Sequence, residues 1–153
     1  MEVYEAPKSQ SRPVRNKRRK IFTIEHANRT LPLVRRIVSD MVKQYKRVCI
    51  LEERCHIRRP TVSQEAHQAV RRQYEAELEK LRALYEELSA VGCELKDWRL
   101  GLIDFPAMME GREVELCWRL GEDQVAYWHD IGAGYAARQP LGGALAAEPA
   151  HQV

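Results

Sequence analysis

Residues 31–55 read LPLVRRIVSDMVKQYKRVCILEERC, and their apolar positions recur every three or four residues. That spacing places the apolar side chains on one stripe of an α-helix. The stripe consists of Leu31, Val34, Val38, Met41, Tyr45, Val48 and Cys55. A stripe sustained over about seven turns predicts a long helix with one face against a core.

A second helix of the same kind is predicted from about residue 62 to residue 91. Pro60 ends the first helix, because proline has no N–H donor and disfavours helix just before it. The second stripe consists of Val70, Tyr74, Leu81, Leu84, Leu88 and Val91. Gly92 follows as a residue type that ends helices. Since the connection is short, the two helices are expected to pair antiparallel as a hairpin over residues 31–91.

The entry to this hairpin is expected to be a separate short helix. Thr23 is a good N-cap, and that helix would run from Ile24 to about Arg29. Pro32 suits the first turn of a new helix, where a missing N–H costs nothing. The sequence therefore predicts a break just before residue 32.

After Gly92 the pattern changes to short strands and turns. Residues 114–120 alternate apolar and polar side chains, which is typical of a half-buried strand. Gly121-Glu122-Asp123 suits a hairpin turn, and residues 124–129 are predicted as the returning strand. The fold class expected is α+β, a long antiparallel helical hairpin followed by a small antiparallel β-sheet.

The chain has 153 residues, 44% hydrophobic and 31% charged, which suits one domain with its own core. Residues 1–20 carry seven basic and two acidic side chains and are predicted to be a disordered basic arm. Residues 21–141 are predicted to form a single α+β domain, with the hairpin at 31–91 and the β region at 93–141. Residues 142–153 are interpreted as a flexible tail.

No apolar run approaches the roughly 20 residues that a membrane helix needs. The polar N-terminus does not resemble a secretory signal. The four cysteines, at 49, 55, 93 and 117, form no CxxC pair, so they are interpreted as free thiols in a reducing compartment. A cytoplasmic protein with no membrane partner is expected.

Several short motifs resemble one protein family. They are FTIEHAN (22–28), LPLV (31–34), ELKD (94–97), GLIDFP (101–106), LCWRLGE (116–122), YWH (127–129), GY (134–135) and RQP (138–140). Together they resemble the bacterial family known as domain of unknown function 2203, over about residues 21–141. The resemblance implies a bacterial cytoplasmic protein and supplies no activity.

The strongest candidate site lies in the β region. Asp104, Cys117, Glu122, His129 and Arg138 are residue types that bind ligands or metals or move protons. A Cys and a His beside a carboxylate can hold a divalent metal such as zinc. The alternative interpretation is a buried thiol and a hydrogen-bonded histidine in the core.

The strand register decides between these interpretations. Pairing of Leu120 with Gln124 would place Cys117, Glu115 and His129 on one face of the sheet. A slip of one residue would move His129 to the other face, away from Cys117. The sequence leaves both registers open.

Basic residues suggest a second kind of site, for nucleic acid. The candidates lie in the arm and at the hairpin tip and are Arg15, Lys17, Arg18, Arg19, Lys20, Arg58 and Arg59. Such residues can neutralise phosphates without an ordered structure. The alternative interpretation is a set of solvated charged surfaces.

Three functions are therefore compared. The first is a binding or scaffolding protein that acts through its helical hairpin, with a small-ligand site on the sheet. The second is a metal-binding protein or enzyme that uses Asp104, Cys117, Glu122 and His129. The third is a nucleic-acid accessory protein. Self-association through the hairpin is also expected, because Ile50 and Leu51 extend the apolar stripe beyond what one partner helix would bury.

Overall fold

The computed structural model describes residues 19–57 and 59–142. Two helices are followed by five strands and one short 3₁₀ helix in this part of the chain. They are α1 (Ile24–His56), α2 (Gln64–Val91), β1 (Glu94–Asp97), β2 (Leu102–Met109), β3 (Arg112–Arg119), β4 (Tyr127–Asp130), the 3₁₀ helix (Tyr135–Ala137) and β5 (Gln139–Pro140). The strands form one antiparallel sheet in chain order. The predicted α+β fold class is confirmed. No helix in the described ranges combines the length and the apolar character that crossing a bilayer requires.

Helix α1 runs unbroken through Pro32, so the predicted break before residue 32 is wrong. Thr23 caps the helix as predicted, its hydroxyl accepting a hydrogen bond from the His26 N–H at 3.0 Å. Ala27 and Leu31 are buried on the same face of the helix, whereas Pro32 is exposed to solvent on another face. The core contacts on either side of Pro32 hold the helix together, and only one backbone hydrogen bond is lost.

The hairpin turn lies at Pro60, and α2 begins at Gln64 behind the N-cap Ser63. Gly92 ends α2 in a left-handed conformation with φ +106°, as predicted. Leu51, which was expected on an uncovered patch, is instead buried inside the hairpin. It lies three residues after buried Val48 and so shares its face. Ile50 alone of the expected pair is exposed, at 58%.

The sheet has two faces of different character. One face packs against the helices and contributes apolar residues to the main core, among them Ile103, Phe105, Leu116 and Trp118. The alternate positions of the same strands turn the other way, where Asp104, Glu115, Cys117 and His129 lie. These four residues are also buried, so polar and ionisable groups are enclosed on the face away from the helices.

The register between β3 and β4 pairs Glu115 with His129 and Cys117 with Tyr127. This is the register expected from pairing Leu120 with Gln124, and the slipped alternative is wrong. Strand β4 begins only at Tyr127, later than predicted. The preceding chain is drawn toward α1, because the Val125 N–H donates a hydrogen bond to Asn28 Oδ1 at 2.7 Å.

Candidate metal centre

Three adjacent strands each contribute one side chain to a buried cluster. Asp104 lies on β2, Cys117 lies opposite it on β3, and His129 lies on β4. One ligand atom from each, a carboxylate oxygen, the thiol sulfur and an imidazole nitrogen, lies within 4.8 Å of the other two. Their exposed fractions are 2%, 0% and 1%. Three residues predicted from the sequence are therefore brought together.

Hydrogen bonds fix the orientation of the His129 ring. Its Nδ1 atom lies 2.8 Å from the Asp130 carbonyl oxygen, which can only accept, so Nδ1 carries a proton and donates. The Nε2 atom then faces Asp104 Oδ1 at 3.1 Å. A metal-binding histidine is commonly oriented in this way, with one nitrogen bound to a carbonyl and the other directed at the ion.

Glu115 adds a second carboxyl group beside the cluster. It lies opposite His129, with Oε2 3.6 Å from Nδ1. Burial raises the pKa of Glu115, and the charge of Asp104 raises it further, while Lys96 on β1 opposes the rise. Because two carboxyl groups share one enclosed space, ionising both is costly unless a cation accompanies them.

The Cys117 thiol is shielded from solvent. Burial raises its pKa to about 12, the nearby Asp104 charge acts in the same direction, and Arg138 opposes it. In the metal-free protein the thiol is therefore protonated at neutral pH. A bound metal ion would displace that proton, since the thiolate is the form that binds metals.

The other two predicted residues, Glu122 and Arg138, form a separate contact at the edge of the cluster. Arg138 Nη2 donates to Glu122 Oε1 at 2.5 Å. The guanidinium lies between two tyrosine rings, 3.9 Å from the centroid of Tyr127 and 4.3 Å from that of Tyr135. We call Glu122, Arg138, Tyr127 and Tyr135 the arginine clamp. It holds the segment that follows β4 against the sheet.

The arginine clamp touches the cluster through one side chain. Arg138 is close enough to Cys117 that its charge lowers the thiol pKa, although burial outweighs this effect. Its Nη1 atom is buried and has no hydrogen-bond partner in the described part of the chain. Glu122 is engaged elsewhere, because its Oε2 also accepts the Arg119 N–H at 2.9 Å. The clamp therefore borders the cluster without supplying one of its three ligand atoms.

Glu115 is a further ionisable residue beside the cluster. The sequence placed it on the same face as His129 in one of the two registers but did not single it out as a candidate site residue. The signal that could have found it was the strand register, which pairs Glu115 with His129 in the confirmed alternative.

Of the nucleic-acid candidates, the structure describes only Arg19, Lys20 and Arg59, and Arg59 lies far from the other two. Arg15, Lys17, Arg18 and Arg58 lie outside the described residues. Lys20 lies at the C-terminal end of α2, where its Nζ donates a hydrogen bond to the Val91 carbonyl oxygen at 3.2 Å. Arg19 lies beside it in the chain, whereas Arg59 lies at the hairpin tip. The 33 residues of α1 separate the two ends, a distance of about 50 Å at 1.5 Å per residue.

Comparison with known proteins places the chain in a family. The family model described as Uncharacterized conserved protein (DUF2203) matches residues 20–141. That span contains both helices, the five described strands and all residues of the buried cluster. No curated protein and no solved structure matches the chain.

Proposed function

We propose that this chain, which belongs to the DUF2203 family, is a metal-binding protein whose sheet holds one zinc ion. The proposed ligands are Asp104 Oδ1, Cys117 Sγ and His129 Nε2. The observation that carries the proposal is the convergence of three different donor atoms, from three neighbouring strands, within 4.8 Å in a buried space.

The donor set favours zinc over harder cations. Calcium and magnesium prefer oxygen ligands alone, whereas zinc accepts sulfur, nitrogen and oxygen in a tetrahedral site. The 3.1 Å between His129 Nε2 and Asp104 Oδ1 is close to the roughly 3.3 Å that separates two ligands bound at about 2.0–2.1 Å from a tetrahedral ion. The Glu115 carboxyl group lies beside Asp104 and on the Nδ1 side of the His129 ring, so it is placed to hold these two ligands in position and not to bind the ion itself.

The enclosure of the cluster favours a structural role for the ion. Catalytic zinc sites keep one position open to water or substrate. Here the three proposed ligands are almost wholly buried, and the arginine clamp closes the edge beside Cys117. A buried site with no open position gives less support to a catalytic zinc ion than to a structural one. We infer a reducing compartment such as the cytoplasm, since all four cysteines are free thiols.

Zinc should raise the thermal stability of the metal-free protein. A ligand present at about a thousand times its Kd stabilises the folded state by about 4 kcal/mol. For a chain of this size that corresponds to a rise in melting temperature of about 8–16 °C. The measurement is thermal unfolding of chelator-treated protein with and without zinc, and with magnesium as a control that should have no effect. Identical melting curves with and without zinc would argue against the proposal.

A second candidate function is a binding or scaffolding role through the hairpin, with self-association as its simplest form. It is favoured by apolar side chains exposed toward the tip, namely Ile50 at 58%, Ile57 at 46% and Val62 at 40%. Pairing of two hairpins would cover these side chains, and two-fold dimers are the commonest closed assembly.

Ile50→Glu should convert such a dimer into a monomer, because it places a charge within the proposed contact. Sedimentation velocity at micromolar concentration measures the change. Leu33→Glu is the matched control, since Leu33 is also on α1 and 41% exposed but lies at the opposite end. A wild-type chain that sediments as a monomer would contradict self-association. So would an equal effect of the two variants.

A further inference from the structure

A separate cavity of about 770 Å³ lies at the hairpin tip, at the far end of α1 from the sheet. Six of the residues that line it are polar or cationic, namely His56, Arg59, Gln64, His67, Gln68 and Arg71. Among the residues that the structure describes, no carboxylate side chain lines it, although the tip also carries Glu52, Glu53 and Glu65. Two arginines therefore line the cavity without an acidic side chain from this part of the chain.

The two arginines of the cavity are not used to hold the fold together. No hydrogen bond or ion pair found among residues 19–57 and 59–142 involves the side chain of Arg59 or Arg71. Guanidinium groups that share a cavity repel one another, and a bound anion would relieve that repulsion. This differs from Arg138, whose charge is matched by Glu122 within the protein.

The start of α2 adds to the positive potential of the cavity. Gln64 begins α2, and the Ser63 hydroxyl satisfies the N–H of Ala66 rather than that of Gln64. The positive end of a 28-residue helix thus adds to the two guanidinium groups.

We infer that the tip cavity binds a phosphate-bearing anion, with Arg59 and Arg71 as the principal contacts. The guanidinium group forms paired hydrogen bonds with phosphate oxygens. No Phe, Tyr or Trp from the described ranges lines the cavity, so the proposal rests on recognition of phosphate and not on stacking of a base. The phosphate can come from a free polyphosphate or from an RNA backbone. This site is independent of the proposed zinc site.

The test is calorimetric titration of the full-length, metal-free, untagged chain with inorganic tripolyphosphate and, separately, with a 12-nucleotide single-stranded RNA. Wild-type binding of tripolyphosphate that weakens roughly tenfold or more for each arginine removed in Arg59→Gln and Arg71→Gln supports a site for the free anion. Binding of RNA alone, with the same loss in both variants, supports the site with RNA as the source of phosphate.

Two controls keep the result interpretable. Arg36→Gln removes an exposed arginine in the N-terminal half of α1, away from the tip, and should leave both affinities unchanged. Both tip arginines are exposed, so their replacement should leave the helical circular dichroism signal intact. The proposal is overturned if neither probe binds, or if every bound probe is held equally well by the wild-type chain and the Arg59→Gln/Arg71→Gln double variant.

Discussion

Cys117→Ser is expected to weaken zinc binding by roughly a hundredfold to a thousandfold. Structural zinc sites bind the ion with about 10–16 kcal/mol, so one of four ligands accounts for about 2.5–4 kcal/mol on average. Serine preserves the shape of the side chain but does not supply a thiolate. The affinity is measured by competition with a chelator of known zinc affinity, and circular dichroism checks that the helices remain.

Cys93→Ser is a closely matched control for this variant. Cys93 is also buried, and burial raises its pKa to about 12 as well. Its Sγ lies 3.7 Å from the Leu88 carbonyl oxygen, in the apolar core between helix and sheet and outside the cluster. Cys93→Ser should therefore retain zinc affinity. If the two variants lost zinc equally, the loss would reflect disturbed packing and Cys117 would not be a ligand.

Zinc affinity is expected to rise about tenfold for each pH unit between about pH 6 and pH 8. In the metal-free protein burial holds the pKa of Cys117 at about 12, so its thiol is protonated throughout this range. Each zinc ion that binds must displace that proton, and raising the pH makes the proton easier to remove. Competition titrations at several pH values give the slope of log affinity against pH.

The same titrations on Cys117→Ser provide the comparison, because that variant has no thiol proton to release at this position. Its slope should be smaller by about one. A wild-type affinity that does not change between these pH values would show that no thiolate forms on binding. That result would exclude Cys117 from the coordination sphere even if the protein bound zinc elsewhere.

The helices could be predicted because their signals are local. The stripe from Leu31 to Val48 and the terminal Gly92 each indicate a feature within a few residues of themselves, and the structure agrees with both. Pro32 misled the prediction for the opposite reason. Whether a proline breaks a helix depends on what its neighbours pack against, and Ala27 and Leu31 are held by residues distant in sequence.

The candidate site could be predicted in its residue types but not in its grouping. Asp104, Cys117 and His129 were identified by their chemistry, yet two strand registers remained open until the β3–β4 pairing was known. Glu122 and Arg138 carried the same kind of signal and lie in the arginine clamp instead. The position of Glu122 depends on the turn after β3, and that of Arg138 on the path of the chain after β4. Alternating hydrophobicity predicts neither of these.

The central claim is that one zinc ion binds between β2, β3 and β4. Equilibrium dialysis of the untagged protein against zinc buffered at about ten times the wild-type Kd, followed by elemental analysis, tests it most directly. We expect about one zinc per wild-type chain and far less in the His129→Ala and Cys117→Ser variants, with helical content unchanged. A wild-type chain that binds no zinc, or variants that retain as much zinc as the wild type, would contradict it.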